Sequence, residues 1–318
     1  MRILVTGGMG FIGHNVVAQL EDLGHDVTMV DNFTDYGIIP ENEMNALIQE
    51  RQSEISSVCL IGDIVEPHLE NAFIMAEPEL VIHLASFPRQ KVVNSNPVLA
   101  ADTMMKGLLN VCELSMKHNV NRLVYISSSM VYGDFSDGTD EYYQCKPQGQ
   151  YAIMKLAGEQ IVRDYGHRGC FDYTILRPSA VYGPRDVEDR VVSKFFMAAM
   201  RDEVLKVNGK DERLDFTYVS DTASGIIQAS LSSNAVFRTY NITRGESRTL
   251  LEAAELITEI VGKGKIEVTH KHEDYPSRGT LSINAARRDF GYNPKIDIEE
   301  GFRRYYDYLL NSSYWLNR

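Results

Sequence analysis

The run Val5-Thr6-Gly7-Gly8-Met9-Gly10-Phe11-Ile12-Gly13 constrains this chain more than any other segment. It continues the apolar stretch Ile3-Leu4-Val5, which reads as a buried strand, and it opens a helical stretch over 11–23. Glycines at 7, 10 and 13 between a strand and a helix have a mechanical use. The first permits a tight turn, the second lets backbone approach a pyrophosphate, and the third lets helix and strand pack closely. A diphosphate then lies on the free N–H groups of the helix start, where Phe11 and Ile12 stand. Glycine triplets alone are a weak signal, so the surroundings decide the reading.

Those surroundings alternate. Ile3–Val5, Val27–Val30, Val58–Ile61, Leu80–His83, Leu123–Ser127 and Tyr173–Leu176 are short and rich in Val, Ile and Leu, as buried parallel strands are. Helical stretches near 11–23, 41–53, 97–118 and 148–166 separate them, with Asn96 as the expected N-cap before Pro97. Repeated βα units predict an α/β fold, a Rossmann doubly wound parallel sheet. Beyond Pro178 the pattern changes to helices near 190–201, 219–231, 249–261 and 296–311 with short strands near 204–207, 215–218, 237–240 and 265–269. This predicts a smaller, interleaved C-terminal α/β lobe. The expected division is a dinucleotide-binding domain over 1–177 that also receives about 214–243, and a substrate lobe over 178–213 and 244–318. The interleaving is expected because Phe216–Val219 could return to the sheet.

Asp31 ends the second strand, where a carboxylate can accept hydrogen bonds from both adenosine ribose hydroxyls. It would repel a 2′-phosphate, and the following Asn32-Phe33 brings no compensating arginine, so NAD is expected over NADP. Asp63 and Ile64 follow the third strand, positioned for the adenine; a plain turn-forming role is the alternative for Asp63. Leu84, Ala85 and Ser86 follow the fourth strand, where pyrophosphate and ribose should lie, and Pro178 follows the sixth. His83 reads as a packed strand-end histidine rather than a catalyst.

A formal charge of −12 argues against coating nucleic acid or an anionic membrane. It does not exclude an anionic small molecule, because a few local arginines can overrule the global sign. Cys59, Cys112, Cys145 and Cys170 are scattered without metal-like spacing, so no metal is expected and the thiols read as reduced. No apolar run approaches the roughly 18 residues of a spanning helix, and Met1 leads directly into the first strand. The expected location is the cytoplasm.

The chemistry is carried by Ser127-Ser128-Ser129-Met130-Val131-Tyr132-Gly133 at the end of the fifth strand and Tyr151-Ala152-Ile153-Met154-Lys155 in the next helix. Tyr151 and Lys155 stand at i and i+4 and share one helix face. The ammonium is expected to draw the phenol down from its usual pKa of about 10. A phenolate there is a competent general base for a sugar hydroxyl, and a facing serine can hold the reacting oxygen.

With these motifs the chain resembles the extended short-chain dehydrogenase/reductase family, and within it the NAD-dependent nucleotide-sugar epimerases and dehydratases, closest to the UDP-sugar 4-epimerases. The resemblance also covers Leu176-Arg177-Pro178-Ser179-Ala180-Val181-Tyr182-Gly183-Pro184-Arg185, Asp215-Phe216-Thr217-Tyr218-Val219-Ser220-Asp221 and Phe290-Gly291-Tyr292-Asn293-Pro294. It implies that Ser128, three positions before Val131, is catalytic with Tyr151 and Lys155, and that Tyr151 and Lys155 also touch the cofactor. Relatives that dehydrate or decarboxylate carry acids where this chain has Ser129 and Met130, which points to epimerisation through a 4-keto sugar. A dehydrogenase, ketoreductase or dehydratase is the alternative, and a non-catalytic dinucleotide sensor is the reading from another class. Three departures stand out: Ala180 where Asn is common, Leu214 where Arg is common, and Met104 where Asn is common. Arg89 in the run Arg89-Gln90-Lys91, Arg185, Arg213 and Arg278 are the candidates to bind the substrate diphosphate, with Ser129 beside the sugar. A homodimer is implied through the helices near 97–118 and 148–166, with Met104, Met105, Leu108 and Leu109 as apolar surface.

Overall fold

The computed structural model describes the whole chain except residues 35, 38, 272–275, 313 and 316–318. The first half alternates β1 (Arg2–Thr6), α1 (Phe11–Asp22), β2 (Asp26–Asp31), α2 (Glu41–Gln52), β3 (Val58–Ile61), α3 (Glu70–Ala76) and β4 (Leu80–His83). There follow α4 (Gln90–Ser95), α5 (Pro97–Ala101), α6 (Leu108–Lys117), β5 (Arg122–Ile126), α7 (Gln150–His167) and β6 (Asp172–Pro178). The second half holds β7 (Val181–Tyr182), α8 (Val191–Met200), β8 (Val204–Asn208), β9 (Arg213–Leu214), β10 (Thr217–Tyr218), α9 (Val219–Leu231) and β11 (Arg238–Ile242). It ends with β12 (Arg248–Thr249), α10 (Leu250–Val261), β13 (Lys265–Thr269), α11 (Asn284–Phe290) and α12 (Ile298–Asn311).

Seven parallel strands form the main sheet in the order β11-β6-β5-β4-β1-β2-β3. The order reverses between β1 and β4, so the loops leaving their C-terminal ends part in opposite directions and open a crevice. Ile3, Leu4 and Val5 are all buried, because helices cover both faces of a parallel sheet. Val16, Val17 and Leu20 of α1 pack with Ile226 and Ile227 of α9 on one face. Phe73, Leu108, Val111 and Val162 cover the other. A second core gathers Tyr182, Phe196, Phe216, Tyr218, Ile257 and Phe302 from the elements after β6.

Three expectations change. The segment around 216–219 does not return to the main sheet: β10 pairs only with β7, because Phe216 and Tyr218 pack edge-on against Tyr182 in the second core. The returning strand is β11, which pairs with β6. Asn96 precedes α5 without a side-chain cap bond, its ψ of 64° lying outside the extended geometry that aims a capping oxygen at the next turn. Between α5 and α6 the helix widens into a π-turn over Asp102–Gly107. With that register Met104 and Leu108 point into the core, while Val98, Leu99, Leu109 and, on α7, Ile153 are exposed.

Two histidines are sealed beneath the crevice. His14 on α1 bonds the Gly10 carbonyl at 3.0 Å, and His83 shares a 2.7 Å hydrogen bond with the Thr6 hydroxyl. Burial pulls both to a pKa of about 3, with Arg51 adding to the effect at His14. Folded pKa values below the unfolded ones mean that only the unfolded chain takes up these protons. Stability is therefore present above about pH 6.5 and falls by about 1.4 kcal/mol per pH unit per histidine toward pH 3. His83→Gln should shrink the loss of stability between pH 7 and pH 5 by about 2 kcal/mol, measured by urea denaturation at both pH values.

Candidate active site

The crevice begins at the turn after β1. Gly7 has a φ of 72°, and a Cβ there would lie 2.7 Å from the Ala85 nitrogen. A Cβ on Gly13 would lie 2.1 Å from the Gly7 carbonyl oxygen, so helix and turn touch as only glycine allows. A Cβ on Gly10 would meet only the Gly7 oxygen, at 3.1 Å, with space beyond it. Helix α1 has no side-chain cap and no acid in its first turn, leaving its N–H groups for an anion. These features fit a dinucleotide diphosphate.

One cleft is lined by Gly7, Gly10, Phe11, Asp31, Asn32, Asp63, Ile64, Leu84, Ala85 and Ser86. A second cavity is lined by Ile12, Gly13, Ser128, Tyr151, Lys155 and Pro178, and shares Gly7, Gly10 and Ser86 with the first. Every residue expected to hold the cofactor therefore faces one or the other. Asp31 accepts the Met9 N–H at 2.9 Å and the Phe33 N–H at 2.8 Å, one on each carboxylate oxygen. Each oxygen keeps a further lone pair for a ribose hydroxyl. Asp63 accepts the turn bond from the Val65 N–H at 3.0 Å and a bond from Asn32 at 2.8 Å, and it lines the cleft.

An arginine does reach this cleft, though from 20 residues beyond Asp31. Arg51 on α2 is buried and donates to the Met9 carbonyl at 3.0 Å and the Arg185 carbonyl at 2.7 Å. Its position was hidden in the sequence because α2 carries it back across the sheet edge. Both of those bonds tie it to backbone, and it lines the cleft together with Asp31.

Ser128, Tyr151 and Lys155 meet at the end of β5. The Ser128 Oγ accepts the Met130 N–H at 3.2 Å, and its hydroxyl faces the Tyr151 phenol. Lys155 donates to the Ile126 carbonyl at 2.8 Å and lies 5.9 Å from the Tyr151 ring centre. Burial pulls Lys155 down to about 7. Burial also pushes the Tyr151 phenol up, opposed by Ser128 and Arg190. The expected lowering by Lys155 is thus corrected: desolvation wins at both groups, and the cation that opposes it is Arg190.

Arg190 is the residue that sequence reasoning missed. It precedes α8, lines the cofactor cleft, the catalytic cavity and the adjoining sugar-sized cavity, and lies 3.6 Å from the buried Asp186. The signal was present in the charged run Arg185-Asp186-Val187-Glu188-Asp189-Arg190 between Gly183-Pro184 and a helix. Arg185, chosen instead, lines none of these cavities. Its φ of 67° turns it outward, where it pairs with Glu54.

The remaining candidates divide. A cavity of about 210 Å³ beside Tyr151 is lined by Arg89, Ser128, Ser129, Ala180, Leu214 and Arg278, among others. A larger cavity of about 590 Å³ adjoins it and includes Arg89, Arg213 and Arg278. In its lining lysines and arginines outnumber acids by more than two to one, on a chain whose net charge is −12. Arg213 is held by Ser247, and Ser129 donates to the Ser179 hydroxyl at 2.9 Å. Arg89 donates to Asp189 at 2.7 Å, and Lys91 and Lys194 share the same carboxylate.

Behind the catalytic groups, Glu159 is fully buried one helical turn after Lys155. It accepts two bonds from Arg177 on β6, at 2.8 and 2.7 Å, and one from the Ser127 hydroxyl at 2.6 Å. Glu159→Ala would leave the Arg177 charge buried and unpaired, and should cost about 3–5 kcal/mol in denaturant unfolding. Replacing both by apolar residues, Glu159→Leu with Arg177→Met, should recover most of that loss.

The chain matches the model of the NAD dependent epimerase/dehydratase family over residues 3–243. It is 29% identical to a putative UDP-glucose 4-epimerase of Methanocaldococcus jannaschii, covering 98% of this chain and 99% of that protein. It is 32% identical to UDP-glucuronic acid decarboxylase 1 of Arabidopsis thaliana, over 96% of this chain and 68% of that one. The solved structure of the Bacillus cereus UDP-glucuronic acid 4-epimerase with UDP-glucuronic acid and NAD superimposes with a TM-score of 0.88 at 25% identity, covering 97% of this chain and 98% of that chain. With its glycine turn, its Ser128, Tyr151 and Lys155 and this match across three quarters of its length, the chain belongs to the NAD-dependent epimerase/dehydratase family.

Proposed function

We propose that this protein is an NAD-dependent epimerase of a nucleotide-activated sugar, inverting C4 through a transient 4-keto intermediate. The observation that carries this reading is Ser128, Tyr151 and Lys155 beside the dinucleotide cleft with no acid at positions 129 and 130. Bound NAD supplies the hydride acceptor and, on the return step, the hydride donor. Tyr151 takes the proton of the C4 hydroxyl as a general base and returns it to the new alkoxide. Ser128 holds the same oxygen, and Arg190 is the cation that favours the phenolate. The side chains of Ala180 and Leu214 offer the sugar no hydrogen bond, so the flat ketone can turn its other face. The basic cavity beyond holds the nucleotide diphosphate, with Arg278 reaching both cavities. The lobe formed by 178–213 and 244–318 is the substrate-binding lobe of this proposal, set against 1–177 with 214–243.

The likeness to UDP-sugar enzymes makes UDP-glucose and UDP-glucuronic acid the first substrates to try, within a panel of UDP-, GDP-, CDP- and dTDP-sugars. A substrate deuterated at C4 should give an epimer that keeps the label at C4, read by NMR, with no deuterium entering C5 from heavy water. Tyr151→Phe should slow this turnover at least about 10²-fold. Loss of water or carbon dioxide would favour the dehydratase or decarboxylase reaction, and stoichiometric NADH release a dehydrogenase.

A cytoplasmic homodimer is part of the same proposal. No described helix is long and apolar enough to cross a membrane, and the four cysteines are unpaired, as a reducing compartment keeps them. Val98, Leu99, Leu109 and Ile153 expose apolar surface on α5, α6 and α7. Sedimentation should give twice the chain mass, and Leu109→Glu with Ile153→Glu should give the monomer.

A further inference from the structure

The loop after β2 reaches across the cofactor cleft. Tyr36 packs its ring on Phe87 with centres 3.9 Å apart and planes tilted by 37°. Its hydroxyl hydrogen-bonds with Thr103, which the π-turn presents at the edge of the cleft. Phe87 leaves β4, and the strand order places β1 between β2 and β4. A contact from the β2 loop to residues beyond β4 must therefore pass over the end of β1, where the glycine turn stands. Tyr36 lines the cleft together with Gly7, Gly10, Asp31 and Asp63, so it bounds the space intended for the dinucleotide.

The two ends of this contact differ in firmness. Phe87 is fully buried and packs in one cluster with Val92, Met130 and Tyr151. Tyr36 stands on a loop where both Phe33 and Tyr36 take positive φ, 53° and 56°, a conformation that disfavours side chains other than glycine. Tyr36 is held there by its ring contact, by the Thr103 bond and by its own N–H donating to the Thr34 hydroxyl at 3.2 Å.

We propose that Tyr36 and Phe87 form an aromatic clasp that closes over the dinucleotide and keeps it bound through turnover. The inference rests on the reading that this cleft holds NAD, and it deepens the proposed function. An epimerase that returns its own hydride loses its reaction if the reduced cofactor escapes between the two steps. Ring stacking across the exit slows that escape without adding a charge beside the diphosphate.

The test follows release of NAD from purified holoprotein. The protein is loaded with radiolabelled NAD, chased with excess unlabelled NAD, and sampled by rapid filtration. Tyr36→Ala should release label at least about tenfold faster than the wild type. Tyr36→Phe, which keeps the ring and loses the Thr103 bond, should fall between them, and equal circular dichroism of all three excludes misfolding as the cause. Release from Tyr36→Ala at the wild-type rate overturns the clasp. The readout needs no sugar, so a protein that releases NAD in the expected order yet epimerises nothing overturns the proposed function and leaves the clasp standing.

Discussion

The carboxylate of Glu159 sits where helix α7 crosses the C-terminal ends of β5 and β6, and it has no contact with solvent. Two parallel bonds from Arg177 fix it to β6, and the Ser127 hydroxyl ties it to the end of β5. Against its burial, Arg177 is held above its usual pKa by this partner. A bidentate pair of this kind sets direction as well as distance. Lys155 and Tyr151 lie one and two turns before Glu159 on the same face of α7, so anchoring Glu159 sets their depth against Ser128. The guanidinium also faces the Tyr132 ring, whose hydroxyl donates to Asn241 on β11. One ion pair thereby connects the catalytic helix, β5 and β6, and the last strand to join the sheet.

Charge is used differently on the two sides of the crevice. On the cofactor side a carboxylate, Asp31, lines the cleft, and the start of α1 has no side-chain cap and no acid in its first turn. On the other side the cavity is lined by an excess of lysines and arginines, which offsets locally the −12 of the chain and suits an anionic ligand. Asp189 gathers Arg89, Lys91 and Lys194 at that entrance. It joins the segment after β4 to the start of α8, so the two sides are linked through a single carboxylate whose partners a phosphate could also attract.

Much of this was legible because it is local. The glycine spacing, the carboxylate at the end of β2 and the i, i+4 pair of Tyr151 and Lys155 are each contained within one βα unit, where sequence separation fixes spatial separation. The strand pattern was legible for the same reason, since residues buried on both faces leave continuous apolar runs. What escaped were contacts between distant segments. Arg51 reaches the cleft from 20 residues beyond Asp31 and Arg190 from five residues beyond the motif that ends at Arg185, while Arg185 itself pairs with Glu54 away from the cavities. The π-turn changed which of Met104, Leu108 and Leu109 face the core, a change of register that no apolar periodicity reports.

The sequence by itself determined the parallel sheet, the glycine turn and the shared helix face of Tyr151 and Lys155, because backbone sterics and helix geometry act over a few residues. Only the tertiary structure decided the protonation energetics of those groups and the walls around them. Burial pulls Lys155 down and pushes Tyr151 up, reversing the expectation drawn from their spacing, because desolvation depends on everything packed around a group. Likewise the meeting of Tyr36 with Phe87, and of Arg190 with Ser128 and Tyr151 around one cavity, depends on strand order and on how the later elements pack. Long-range packing alone brings such pairs together, and no interval along the chain encodes it.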